Sequence, residues 1–141
     1  MSARFQAIHD LATAQVDAVR RELGKQEFQR AQLSVGIADT EAGMIAAGDA
    51  AGPALREQFS LFWQARQGQL TKLRHDLHTV DAGIAKTREA LREAHRRLAA
   101  LDALRERDRI EANRQEQRAE QRRNDEFAAI RRQMTVEGSA A

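Results

Sequence analysis

Ten positions between Leu70 and Leu101 fix most of what this chain can fold into. Leu70, Leu73, Leu77, Val80, Ile84, Thr87, Leu91, Ala94, Leu98 and Leu101 follow one another at alternating spacings of three and four residues. A 3.5-residue repeat sustained over this length keeps one stripe of a helix turned toward a partner helix in a left-handed supercoil. Eight of the ten are large aliphatics, so the stripe reads as a coiled-coil seam. Extended toward the N-terminus, the same register takes in Trp63 and Phe59, with Arg66 as the misfit.

The partner helix lies upstream. Phe5, Ala12, Val16, Val19, Leu23, Leu33, Ile37 and Met44 share one register, which His9, Gln26, Arg30 and Thr40 interrupt. Gly24, Gly36 and Gly43 each cost about 1 kcal/mol relative to alanine in a helix, so this helix is marginal unless it folds against the second. The one cluster of breakers between Ser2 and Glu137 is "AAGDAAGPALRE", where Gly48, Asp49 and Gly52 precede the single proline. Glycine at a helix end and proline at the next start is the usual asymmetry. The fold class expected is all-α, an antiparallel coiled-coil hairpin. Helix 1 is placed at about residues 3–47, the turn at 48–53, helix 2 at about 54–136 and a disordered tail at 137–141. Helix 1 has the length to pair with helix 2 as far as roughly residues 98–101, where the leucine seam also ends. Helix 2 then overhangs by some 35 residues, about 50 Å.

The overhang has an unusual composition. From Arg105 to Glu126 its apolar residues are Ile110, Ala112 and Ala119 alone, before Phe127 and Ile130 appear. A helix polar all round is either a solvated helix that frays or one that bridges to another molecule. Nucleic acid is a poor fit. Arg114, Arg118, Arg122, Arg123, Arg131 and Arg132 alternate with Glu111, Glu116, Glu120, Asp125 and Glu126, so few phosphates could be neutralised per turn. The whole chain carries a net charge of only +2.

Other chemistry is sparse. There is no glycine-rich phosphate loop and no nucleophile beside a base, so no enzyme and no cofactor are expected. His75, His78 and Asp81 fall on neighbouring helical positions, but no further ligand cluster supports a metal site. The chain has no cysteine, which excludes a disulfide framework and fits a reducing compartment. "MSARFQAIHDLATAQ" places His9 and Asp10 where a signal peptide needs apolar residues, and no run reaches the roughly 20 apolar residues of a membrane span. A cytoplasmic protein without direct membrane insertion is expected. Near the turn, "FSLFW" puts Phe59 and Trp63 on the seam and Phe62 off it, as an anchor for a partner peptide.

The arm "EQRAEQRRNDEFA", on a two-helix hairpin with a short first helix and a long second one, resembles the FliJ/YscO family of bacterial type III export machines, flagellar or virulence-associated. Glu116, Arg118, Gln121, Arg122, Arg123, Asp125, Glu126, Phe127 and Ala128 carry the likeness. The resemblance implies a non-enzymatic central stalk, similar to the gamma stalk of rotary ATPases. Its paired termini would enter a hexameric export ATPase and promote assembly and activity of the ring, with its turn facing the cytoplasmic linker of the export gate protein. By position, Arg118, Gln121, Arg122, Asp125 and Phe127 would face the ATPase. Phe62, Leu73 and Met44 would lie toward the gate, Met44 and Ile45 standing where flagellar members carry tyrosines. Some members of the family also escort secretion chaperones. The competing expectation is a generic coiled-coil scaffold or chaperone escort that dimerises through the arm.

Overall fold

Two helices and a tight connection make up residues 2–140, the part of the chain described by this computed structural model. Helix α1 spans Ala3–Ala50 and helix α2 spans Arg56–Ala140, with a short 3₁₀ turn over Pro53–Leu55 between them. No strand occurs among the described residues. Ser2 caps α1, its hydroxyl oxygen accepting a hydrogen bond from the Phe5 N–H at 3.2 Å, which satisfies one of the free donors of the first turn. The last bond at the other end runs from the Ala51 N–H to the Ala47 carbonyl at 3.0 Å. Gly52 is extended, Pro53 opens the 3₁₀ turn where its missing N–H costs nothing, and the Leu55 N–H closes the turn onto Gly52 at 3.0 Å.

The chain divides into two compact units, Leu11–Arg96 and Met1–Asp10 with Arg97–Ala141. In the first, the ion pairs fix an antiparallel arrangement. Glu41 pairs with Arg74, Arg30 with Asp81 and Glu27 with Arg88, so positions descend along α1 as they rise along α2. Ala12, Val16, Met44, Leu70, Ile84 and Ala94 are buried. Val19, Leu23, Leu33 and Ile37 of α1, and Leu73, Leu77, Val80, Thr87 and Leu91 of α2, are half-buried. The seam read from the spacing is therefore the face that turns inward. Its polar members differ in how they are satisfied. Thr40 and Thr87 return their hydroxyls to the carbonyls of Gly36 and Gly83, at 2.7 and 3.0 Å. Gln26 does not, and its Oε1 is buried without a hydrogen-bond partner. Arg30 escapes the seam by pointing outward to Asp81.

In the second unit, the start of α1 is held to α2 by polar contacts. His9 Nε2 lies 2.7 Å from Asp102 Oδ1, Arg105 donates to Gln6 Oε1 at 2.6 Å, and the Arg105 guanidinium stands 6.0 Å from the Phe5 ring centre. Leu98 and Leu101 are half-buried here, completing the seam. From residue 106 to residue 138 every side chain is exposed except Ala119 and Ala128, which are half-buried.

Three expectations need adjustment. Helix α1 runs to Ala50 rather than 47, and α2 starts at Arg56 rather than 54. Gly48, read as a breaker, is helical and makes room for a ring: a Cβ placed there would lie 3.2 Å from Phe59 Cζ. The register drawn backward through Trp63 does not hold, since Phe59 and Phe62 turn inward while Trp63 is 40% exposed. The non-apolar Arg66 breaks the repeat below Leu70, leaving the aromatics free to follow the approaching turn. The stretch assigned to a disordered tail at 137–141 is the last turn of α2 as far as Ala140, because Gly138 is its only poor helix former; Ala141 lies outside the described residues.

Candidate functional site

The polar arm is the end of α2 in the second unit. Among the described residues the last hydrogen bond between the two helices is the one from Arg105 to Gln6, and α2 continues to Ala140, a further length of about 50 Å at 1.5 Å per residue. Its helix is supported locally. Arg109 grips Glu106 through two hydrogen bonds, Nε to Oε2 at 3.0 Å and Nη2 to Oε1 at 2.7 Å. Those hydrogen bonds hold the Glu106 carboxyl below its ordinary value and raise the Arg109 guanidinium above its own. Further along, Arg123 Nε reaches the Ala119 carbonyl at 3.4 Å, and Arg131 stands over the Phe127 ring at 5.8 Å.

Arg118, Gln121, Arg122, Asp125 and Phe127 are all exposed along the arm. The helix also brings together something the residue-by-residue reading passed over. Phe127, Ile130 and Met134 follow at spacings of three and four and are exposed on one stripe. The arm is polar along its shaft and apolar along one line near its end.

The turn end, in the first unit, holds the second candidate surface. Phe59 packs against both Phe62 and Trp63, with ring centres 6.5 and 5.9 Å apart. Arg66 covers the Phe62 ring at 5.1 Å and donates to Gln69 Oε1 at 2.7 Å. Phe59 and Phe62 form one wall of a shallow groove of about 320 Å³, closed by Ala47, Ala50, Ala51 and Leu55. Phe62 is thus half-buried at the rim of an apolar groove rather than a free-standing anchor.

The other two residues assigned to this end turn toward the seam. Met44 is only 2% exposed, and Leu73 faces Gly36 across the seam, 3.9 Å from where a Cβ would stand there. Both sit on the inner stripe that the 3–4 spacing defines, Met44 buried and Leu73 half-buried. Sequence reasoning missed Leu55 and the alanines of the groove, because small residues beside a turn carry no pattern of their own. Trp63 was recoverable, since the Arg66 misfit already marked where the register fails. At His75, His78 and Asp81 no metal cluster assembles among the described residues, and Asp81 is engaged by Arg30.

No helix among the described residues is long and apolar enough to cross a membrane. Residues 1–134 match the family described as the flagellar FliJ protein. No curated protein and no solved structure matches the chain.

Proposed function

The chain belongs to the FliJ family of flagellar export proteins, and from that premise we propose that it is a non-enzymatic stalk that couples a hexameric export ATPase to the export gate. The observation that carries this reading is the end of α2. It remains helical for some 35 residues beyond the Arg105–Gln6 hydrogen bond and is exposed from residue 106 to residue 138 apart from the half-buried Ala119 and Ala128, and it bears the Glu116–Ala128 pattern within the matched span. In this reading Arg118, Gln121, Arg122 and Asp125 contact the inner wall of the ring, and Phe127 supplies an apolar contact near the tip.

A polar shaft suits that place. Hydrogen bonds and ion pairs at a wet surface are individually weak, so one helix can exchange them between near-equivalent ring subunits. A dry apolar interface would lock onto one subunit. The action is mechanical and allosteric: a single asymmetric shaft stabilises some subunit conformations over others and favours the assembled ring. At the opposite end of α2, the groove beside Phe62 takes an apolar side chain from the cytoplasmic part of the gate. The stalk works in the cytoplasm, at the membrane-bound apparatus.

The test adds the purified chain to an export-type ATPase and follows hydrolysis together with hexamer formation. Stimulation that disappears in Arg122→Ala and Phe127→Ala variants supports the stalk. Absence of stimulation, or stimulation indifferent to both changes, sinks it.

A further inference from the structure

Helix α1 carries a second apolar stripe turned away from its inward seam, although Ala31 within it also borders a cleft with Asp81 and Ile84 of α2. Phe28, Ala31, Val35, Ala38, Ala42 and Ile45 follow at spacings of three, four, three, four and three, and all six are exposed. Phe28, Val35 and Ile45 are 66%, 58% and 64% exposed. The inward positions Leu33 and Thr40 lie two residues from Val35 and Ala42, about 200° round the helix, so the two stripes occupy opposite faces. An outward 3–4 repeat is the signature of a surface that takes another helix; it uses none of the residues assigned to the ATPase, and of the positions placed toward the gate it includes Ile45 alone.

We infer that this stripe is the contact between two copies of the chain, packed antiparallel through their α1 helices. Three observations select a second copy as the occupant. First, the stripe is complementary to itself when reversed. Phe28 meets Ile45 of the second copy, Ala31 meets Ala42, and Val35 meets Ala38, so bulky layers close both ends and smaller ones fill the middle. Alanine at three of six positions lets the helix axes approach toward the short end of the usual 8–10 Å range. The two-fold relation is the commonest symmetry of homo-oligomers.

Second, the flanking positions contain no repulsion. Reversal sets Glu27 opposite Ala46, Ser34 opposite Asp39 and Gln32 opposite Glu41, so no acid faces an acid. Glu27 and Glu41 are also already neutralised by Arg88 and Arg74 of the same chain, which leaves little unpaired charge to recruit an oppositely charged helix of another protein. Third, the extent fits a reversible dimer. The stripe is about 26 Å long, and two of them bury on the order of 1,000 Å² in total, at the lower edge of specific interfaces. Association at micromolar or higher concentration follows from that size.

The full chain tests this by sedimentation equilibrium between about 1 μM and about 500 μM, a range that spans weak association. The weight-average mass is expected to rise from 15.8 kDa toward twice that value. Val35→Glu with Ala38→Glu abolishes the rise, with far-UV circular dichroism unchanged because both positions are exposed. Arg122→Ala with Phe127→Ala leaves it intact, which separates this contact from association through the arm. The absence of native cysteine permits a direct reading of orientation. An equal mixture of Ala31→Cys and Ala42→Cys chains, oxidised gently, is expected to give the mixed disulfide. Either variant alone gives none, since identical positions would lie about 16 Å apart along the axis. A monomer at every concentration, a dimer that survives the glutamates, or disulfides formed only between identical positions overturns the proposal.

Discussion

Replacing Gln26 by methionine removes the one polar atom that the seam of the Leu11–Arg96 unit leaves unsatisfied among the described residues. The Gln26 carbonyl oxygen is buried with no hydrogen-bond partner, and its amide nitrogen lies 3.6 Å from where a Cβ on Gly83 would stand. A buried acceptor without a partner costs about 1–3 kcal/mol. Methionine keeps the length of the side chain, adapts to irregular space and introduces no branch, so its packing penalty stays at about 1 kcal/mol or less. The net effect is a gain of about 1–2 kcal/mol. For a chain of this size each kcal/mol moves the midpoint by about 2–4 °C, and the variant should melt about 2–8 °C above the parent. A thermal scan of helical ellipticity reads this directly, and a urea titration should show a higher midpoint with the slope unchanged. An equal or lower melting temperature at equal starting helicity would refute the reasoning, because it would mean that Oε1 is satisfied in solution. A polar residue in a seam can also hold the register of two helices. The methionine variant therefore also shows whether the extra stability is accompanied by looser pairing, seen as broadened amide resonances around Gln26 and Gly83.

The glycines predict a contrast. Alanine at Gly24, Gly43 or Gly68 meets no atom within 4 Å and should stabilise by about 1 kcal/mol each through helix propensity. At Gly48 it crowds the Phe59 ring at 3.2 Å, and the same assay should show that gain cancelled or reversed. Ile84→Ala, at a buried seam position, should lose about 2–5 kcal/mol and lower the urea midpoint accordingly. The Glu106–Arg109 pair forms with the carboxylate ionised, so it is present at neutral pH and is lost as the pH falls through the lowered value of Glu106. A carboxyl ¹³C titration should place Glu106 below the usual carboxylate range, and Arg109→Gln should return it.

The hairpin was legible because its signal is redundant. Every position named in the 70–101 seam is turned inward, since a missed spacing would have carried a leucine into water. The turn was less legible: Gly48, Asp49, Gly52 and Pro53, set among alanines, permit several endings, and the choice rests on Phe59 needing the space at Gly48. Met44 and Leu73 were assigned to a partner surface by position in a family, whereas the 3–4 register already placed both on the inner stripe. The outward stripe from Phe28 to Ile45 was present in the same text. It went unread because alanine carries little hydrophobic weight, and only the exposure of all six positions separates that stripe from the core.

The arm offers the cleanest division between folding and function, and it can be argued to a number. Among the described residues, no hydrogen bond or ion pair reaches from Arg118, Gln121, Arg122, Asp125 or Phe127 to α1, and all five are exposed. Surface substitutions of this kind change stability by no more than about 0.5 kcal/mol, so alanine at any of them should leave the melting curve where it is. An interface is different. Truncating an aromatic or an arginine at the centre of a contact typically costs about 2 kcal/mol or more, which is a loss of roughly thirtyfold in affinity. If the arm sits in a socket, Arg122→Ala and Phe127→Ala should weaken binding to the ATPase by that order while both variants fold and melt like the parent. If binding instead weakens evenly and slightly at all five positions, the arm engages only through diffuse charge and no residue in it is an anchor. Raising the salt concentration separates the two cases. A diffuse contact fades as exposed charges are screened, whereas the share carried by Phe127 persists.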